Sequence, residues 1–526
     1  MPPSFTKKLL YFIFCLVLFS CSNNDDSPSN NIFITSLVEN QIIDSPIQIS
    51  ATINTNNQVI EVFVDDSPIY DEQGKKQILF DLDPEKLSTG NHVLRIQTTG
   101  SQGRVEIKEL NFVVHRRLIT INLPEKMVSE YIINAVAFAS KMDGTLISAK
   151  LFTRDDETVT LSSPDEFNDD QEFMLTFALT DNGYATGMST HANLTRSNPG
   201  VINLTKPFRG IEGEAKTYSL NGFENGAQIW SWNINEPYNS DYRIDFDMPA
   251  STFTVTIIDD IDGDNHDPEI FYLYTYDISD YKYLMLYPPL DDNFVLDKAD
   301  FKTDGVEPKS IVFNSTHSPD AASALMFLYG YWTANDYAIN NFHQIERRSV
   351  SLTPGNPMSY YLNSNFYEYR YRLRYQNYYS AGIGVPESNI SIPNNTLDFT
   401  FANNKIDFDI TGSDHIIGRI RLNDSGNYPV YVWDITFNST KTNSFILPQL
   451  PPEMNKSKLL SLYKSNLMKV ASTELVSYRG IQDYEEYLQK VIKNHVDPLK
   501  VSDGQELIFK ANVPYYDGPI RDFPFQ

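Results

Sequence analysis

Along most of this chain apolar and polar residues alternate one by one over strand-length stretches, a period that points to β-sheet. In Ile47-Gln48-Ile49-Ser50-Ala51-Thr52-Ile53 the alternation is strict, as for a strand with one buried face. Residues 60–64, 78–82 and 105–114 follow, separated by turn sequences at Asp65-Asp66-Ser67-Pro68 and Leu87-Ser88-Thr89-Gly90. Similar runs occupy 118–123, 172–179, 201–204, 242–246, 253–258, 271–276 and 283–287, and then 404–410, 416–422 and 430–437. The 32 tyrosines and 32 phenylalanines suit pleated, half-buried surfaces. No fixed period recurs, which disfavours a propeller or solenoid.

The expected fold class is therefore mainly β. It comprises an N-terminal sandwich over 32–115 and two or three further antiparallel β-sandwich-type domains, divided as 116–206, 207–350 and 351–526. One short amphipathic helix stands out near the C-terminus. Tyr484, Tyr487, Leu488, Val491 and Ile492 recur at three- and four-residue spacing, with Asp483, Glu485 and Glu486 at the start and Lys490 and Lys493 near the end. That charge order suits the helix dipole, and the apolar stripe is expected to pack on a sheet.

Within the first domain, Val62-Phe63-Val64-Asp65 and then Leu87-x-x-Gly90-x-His92-x-Leu94-x-Ile96 resemble the bacterial immunoglobulin-like domains found as tandem spacers in surface proteins. The resemblance covers about a sixth of the chain and implies a spacer or binding module rather than an enzyme. It departs at Thr98-Thr99-Gly100-Ser101-Gln102-Gly103, where such domains often carry an Asp-rich turn.

Ahead of the folded sequence, Lys7 and Lys8 precede an apolar run over 9–19 and then Leu18-Phe19-Ser20-Cys21. This is the layout of a secretory signal, and the run is shorter than the roughly 20 residues a spanning helix needs. Leu18-x-Ser20-Cys21 resembles the lipobox of bacterial lipoproteins, which implies removal of residues 1–20, lipid on Cys21, and a polar tether over 21–31. An ordinary cleaved signal is the alternative. Ser22-Asn23-Asn24-Asp25-Asp26 resembles the export signal of Bacteroidota lipoproteins, which implies an outer-membrane location facing the cell exterior; a plain solvated tether is the other reading.

The chain has only two cysteines, Cys15 and Cys21. The folded part is thus expected to lack thiols, which excludes cysteine nucleophiles, CxxC redox centres and Cys-ligated zinc. Loss of Lys7 and Lys8 with the signal would make the formal net charge of −26 two units more negative. Such a chain repels phosphate backbones, so nucleic acid is excluded as the expected partner.

Three constellations could carry chemistry. Asp260, Asp262, Asp264 and Asp267 surround Gly263 in a run that resembles the calcium loops of extracellular repeats, and calcium takes six to eight oxygen ligands. A structural calcium is the one cofactor the sequence suggests; a polar hairpin turn accounts for the same residues. In Phe366-Tyr367-Glu368-Tyr369-Arg370-Tyr371-Arg372-Leu373-Arg374-Tyr375, a strand places the tyrosines on one face and the arginines on the other. Tyr369 and Tyr371 could then stack on sugar rings. Alternatively the Tyr face is core and the Arg face solvated. Trp230 and Trp232, expected on one strand face, pose the same choice, and Tyr329-Gly330-Tyr331-Trp332 adds a further aromatic cluster.

No catalytic motif emerges. The eight histidines never fall at the spacing of a zinc-binding helix, and there is no GxSxG elbow, P-loop or GxGxxG fingerprint. The leading expectation is a membrane-anchored lipoprotein with a non-catalytic role, binding an extracellular glycan or an envelope protein. A cell-surface enzyme acting on polysaccharide and a structural component of the envelope are the alternatives.

Overall fold

The computed structural model describes residues 31–525 except 55–56, 101, 183–184, 208–209, 236–240, 261–267, 276–279, 315–321, 354, 425–430 and 513–517. The chain divides after His115 into two units, and both are built mainly of strands.

The first unit is an immunoglobulin-like sandwich. A three-stranded sheet of Ile32–Ile34, Ile47–Ile53 and Gln77–Leu82 accompanies a five-stranded sheet in the order Gln41–Ile43, Val105–Val114, Gly90–Gly100, Asn57–Val64 and Ser67–Glu72. Alternate residues such as Ile49, Ala51, Ile60, Val62, Leu94, Ile96 and Phe112 close on one core. The turn Asp65-Asp66 has positive φ at both residues, the conformation a tight two-residue hairpin needs. Buried His92 locks it: one ring nitrogen lies 2.5 Å from Asp65 Oδ2 and the other 2.8 Å from the Ser88 carbonyl, while Val93 N donates to Asp65 Oδ1 at 2.9 Å. His92 thus ties the Asp65-Asp66 hairpin and the Ser88 turn to its own strand.

The second unit is organised by one thirteen-stranded sheet. Its strands lie in the order Leu146–Phe152, Ile132–Lys141, Phe173–Asp181, Thr186–Leu194, Tyr431–Asn438, Ile417–Asn423, Lys469–Tyr478, Gly504–Ala511, Tyr378–Ile383, Glu368–Tyr375, Ala322–Tyr331, Asn341–Leu352 and Asn233–Asn235. Thr186–Leu194 joins Tyr431–Asn438 in parallel, and Ala322–Tyr331 joins Glu368–Tyr375 antiparallel. Those pairings cross the divisions expected at 206/207 and 350/351. The three stretches share this sheet, and one of the smaller sheets also combines Val306–Asn314 with Met358–Asn363 and Asn389–Ser391 from across 350/351.

Smaller sheets pack upon it. One face, at the Leu146 end, is covered by the sheet of Arg116–Asn122, Thr158–Ser163 and Val201–Asn203 and by a helix over 484–492, around Ile121, Leu161, Phe177, Val476 and Tyr487. The opposite face carries two cores. The hairpin Thr396–Ala402 and Lys405–Thr411 packs over Trp433, and the sheet of Val306–Asn314, Met358–Asn363 and Asn389–Ser391 packs over Met326 and Leu373. Leu475 and Ile508, register partners, place both cores on that same face. Two further small sheets, around Phe253 and Leu273, form a core of their own within 218–301.

The C-terminal helix forms where its stripe predicts. Asp483 caps it, accepting from Glu486 N at 2.8 Å, and Glu486 pairs with Lys490 at 2.7 Å. Tyr484, Tyr487, Leu488, Val491 and Ile492 are all buried against the sheet. Beyond Tyr487 the turn widens, with Lys493 N donating to Leu488 O at 2.8 Å, a five-residue step.

Candidate functional site: an arginine-lined cavity on the open sheet face

The helix and small sheet cover only part of their face of the long sheet. Where they stop, the face forms the floor of a cavity of about 790 Å³. Register explains what lines it. Arg374 sits between Leu325 and Tyr379 on the neighbouring strands, and Tyr379 in turn lies beside Leu507. In the next row Arg347, Phe327, Arg372, Ala381 and Gln505 are successive cross-strand partners. Tyr329 and Arg370 pair in the row after that. Side chains two residues apart on a strand lie roughly 6.6–6.8 Å apart, so Arg370, Arg372 and Arg374 form a line of positive charge flanked by rings.

The rings also hold the arginines. The Arg372 guanidinium lies 5.6 Å from the Tyr329 ring centre, Arg374 5.1 Å from that of Phe509, and Arg347 5.6 Å from that of Phe327. Such stacking orients a guanidinium through its face. Trp232, 47% exposed, also lines the cavity.

The wall is the segment 495–500 together with 518–523. Asp497 binds Arg370 at 2.7 Å and, through its other oxygen, caps the short turn Pro498–Val501. At the closed end Arg419, only 2% exposed, donates to both oxygens of Asp522 and to the hydroxyls of Tyr478 and Tyr487, all at 3.0–3.1 Å. Burial alone would lower the Arg419 pKa, but the Asp522 carboxylate holds it well above the usual value. His495 Nδ1 accepts from Thr205 N at 3.0 Å, and burial depresses its pKa to about 4, so it is neutral near pH 7.

Among the described residues the lining carries eight basic side chains, including Lys206, Lys500 and Arg521, and two carboxylates, Asp497 and Asp522. In a chain of net charge −26 this is a strong local inversion of sign.

The residues singled out from sequence separate here. Tyr371, 7% exposed, faces the core beneath Met326 and Leu373 rather than a ligand, because its strand turns the arginines to the cavity side. Tyr369 is half-buried and donates to the Asn363 carbonyl at 2.9 Å. Trp230 and Trp232 do not share a strand: the first ends Ile229–Trp230, with Arg347 5.3 Å from its ring, and the second lies in the link to Asn233–Asn235. Only Trp232 of these four lines the cavity. The Arg face, expected to be solvated, is the cavity floor. Asp262, Asp264, Asp267 and the Asp260 side chain lie outside the described residues, as does Cys21. Sequence reasoning did not single out Phe327, Arg347, Arg372 and Arg374 as cavity-lining residues; the Arg alternation was visible, but not which face of the sheet the helix and small sheets would cover.

No protein-family model and no curated protein matches the sequence. Among solved structures, an endo-β-1,4-mannanase from Thermotoga petrophila is 15% identical, covers 18% of this chain and 21% of that one, and has a TM-score of 0.15. The I9–I11 tandem of titin is 10% identical over 51% of this chain and 99% of that one, with a TM-score of 0.13. The SGBP-B of the Bacteroides ovatus mixed-linkage glucan utilization locus, solved with a mixed-linkage heptasaccharide, is 11% identical, covers 65% and 92%, and has a TM-score of 0.13. The chain thus spans about a fifth of the mannanase.

Proposed function

We propose that this chain is a surface-exposed lipoprotein, held by lipid on Cys21, that binds an acidic extracellular ligand non-catalytically in the arginine-lined cavity. The observation that carries the reading is the gathering of eight basic side chains around one cavity of an acidic protein. Positive lining in a low-dielectric cleft concentrates anions and speeds their capture, and the acidic surroundings discourage them elsewhere. Binding rather than proton transfer fits the titratable groups present. Asp497 and Asp522 are tied to Arg370 and Arg419, and His495 is buried and neutral.

The test is calorimetric titration of the full chain with carboxylated and neutral polymers at low and high salt. Binding to the acidic polymers that weakens with salt and drops at least tenfold in Arg372→Gln/Arg374→Gln supports the reading. Equal binding of neutral polymers, or no effect of the substitutions, overturns it. For the anchor, Cys21→Ala is expected to release the chain from the membrane fraction, and protease is expected to digest the wild type on intact cells. Retention of the variant on membranes or protection of the wild type overturns that part.

A further inference from the structure

We infer that the segment 520–525 is a strap held across the long sheet against two neutral histidines, and that mild acid releases it and opens the closed end of the cavity. The inference stands on the segment's own contacts and needs no particular ligand.

The segment crosses strands instead of pairing with one. Ile520 N donates to Glu474 Oε1 on Lys469–Tyr478 at 2.9 Å, and Asp522 accepts from Arg419 on Ile417–Asn423 at 3.0 Å. Phe523 lies 5.0 Å from the His191 ring on Thr186–Leu194, and Phe525 lies 5.4 Å from the Phe177 ring on Phe173–Asp181. These strands follow one another in that order in the sheet, with Tyr431–Asn438 between the second and the third. Among the described residues no main-chain hydrogen bond joins 518–525 to a strand. A segment held by side chains, with no ladder to break, opens more readily than a strand. Ile520, Asp522 and Phe523 also line the cavity, so the position of the segment sets where the cavity ends.

Both imidazoles that touch Phe523 are matched to the closed arrangement only while neutral. His191 is fully buried, and among the described residues neither of its ring nitrogens has a hydrogen-bond partner. His495 lies 4.4 Å from the Phe523 ring centre, and its Nδ1 accepts from Thr205 N at 3.0 Å. Its one proton is therefore on Nε2, and a second would sit on Nδ1, facing the N–H of Thr205. Buried polar groups are nearly always paired, so an unmatched imidazole in a core calls for an explanation. Neutral, such a ring packs as an apolar plate; protonated, it becomes a buried charge with no acceptor.

The charges around the two rings do not make up for that. Burial is the largest cause that holds His191 and His495 near 4; Asp522 pulls both up, while Arg419 opposes it at His191 and His191 opposes it at His495. Asp522 is already engaged by Arg419, whose Nη1 lies 4.0 Å from Glu474. One row further along the strands, Arg421 and Asp434 bind each other. The hydroxyls of Tyr478, Tyr484 and Tyr487 stay protonated because burial raises their pKa. On the cavity side, His495 shares the lining with Lys206, Arg521 and the Asp497–Arg370 pair. With the segment away, the imidazoles return towards their ordinary 6.5, so the open form binds more protons. The closed form is favoured above pH 6.5 and loses ground as the pH falls towards 4, by up to about 30-fold in the opening equilibrium per imidazole at pH 5.

The experiment follows hydrogen–deuterium exchange of residues 520–525 in the full chain at pH 7.0 and 5.0, normalised at each pH to a synthetic peptide of the same sequence. Protection of the segment is expected to fall at least tenfold at pH 5.0, while Ile417–Asn423 beneath it stays at least a hundredfold better protected than the segment. In His191→Leu/His495→Asn the fall is expected to shrink below threefold. His495→Asn alone, whose side-chain carbonyl can still accept from Thr205 N, is expected to show a fall at least threefold smaller than the wild type, which keeps the test decisive where the double variant does not fold. Wild-type protection within twofold at the two pH values overturns the inference. So does a full fall in the histidine variants, or equal protection of the segment and Ile417–Asn423 at pH 5.0, which would mark acid unfolding of the whole unit.

Discussion

Two strands of the long sheet carry nearly the same pattern and meet opposite fates. Ile417-Gly418-Arg419-Ile420-Arg421-Leu422 and Arg370-Tyr371-Arg372-Leu373-Arg374-Tyr375 both alternate arginine with apolar residues. Register carries Arg419 through Glu474, Phe509 and their neighbours to the same face as Arg374. Over Arg419 the helix at 484–492 and the segment 520–525 seal the face, and each arginine of that strand is matched by a carboxylate: Arg419 by Asp522, Arg421 by Asp434 at 2.8 and 2.9 Å. Over Arg372 and Arg374, among the described residues, the helix and small sheet have ended and the side chains stack on rings around a cavity. The difference teaches that an arginine ladder is sealed against carboxylates or left lining a cavity according to what lies above it.

The largest expected effect tests that contrast directly. Arg419→Ala strips the partner from buried Asp522 and Glu474 and is expected to cost about 3–5 kcal/mol in urea unfolding, the usual penalty for leaving one charge of a buried pair alone. Arg372→Gln forfeits, among its contacts, the stacking on Tyr329, and is expected to cost less, about 1 kcal/mol. Comparable losses from the two would break the distinction.

Next in size is Gly418→Ala, within the sealed strand. A Cβ there would run into the Phe437 ring, and overpacking of this sort costs about 1–3 kcal/mol. An unchanged denaturation midpoint would show that the sealed half is looser than its contacts imply.

A smaller, pH-dependent effect follows from buried groups. Burial depresses His191 and His495 to about 4 and His343 to about 3, from an ordinary 6.5. Each therefore stabilises the fold above pH 6.5 and loses that contribution as the pH falls towards its folded value, because the unfolded imidazole takes up a proton first. Glu346 opposes them. Its carboxyl is raised to about 7 by burial, against the pull of Arg348 beside it, so its contribution is present below 4.5 and fades as the pH rises through 7. Three imidazoles against one carboxyl predict a fall in the urea midpoint from pH 6.5 to 4.5, steepened in Glu346→Gln. A flat or rising midpoint on acidification contradicts this balance.

The smallest expected change is Trp232→Ala in the open region. With the indole already half in water, stability should stay within about 0.5 kcal/mol, read as melting temperature. A larger loss would mean that the open face is held by its rim and belongs with the sealed half.

Much of the fold was legible because its signals are local. The alternation at Ile47–Ile53, the turn at Asp65-Asp66, the stripe at Tyr484 to Ile492 and its Asp483 cap all act within a few residues. The division after His115 coincides with a reset in pattern. The later divisions were not legible, since strands that hydrogen-bond across 243 positions of sequence, such as Thr190 beside Ile435 and Trp433, leave no local trace. At the cavity, period-two alternation separated the Tyr face from the Arg face of Glu368–Tyr375 but left open which would be covered by core.

By itself, then, the sequence determined the strand periods, the turns, the helix with its cap and the acidic, cysteine-free character of the body, because each follows from neighbouring residues or from composition. Only the tertiary structure decided that one sheet unites the second unit, that Arg419 is sealed with Asp522, and that Arg372 and Arg374 line a cavity. Which side of a strand receives a covering layer depends on segments hundreds of residues away, and alternation along a strand is the same whether its polar face meets water, a carboxylate or a ligand.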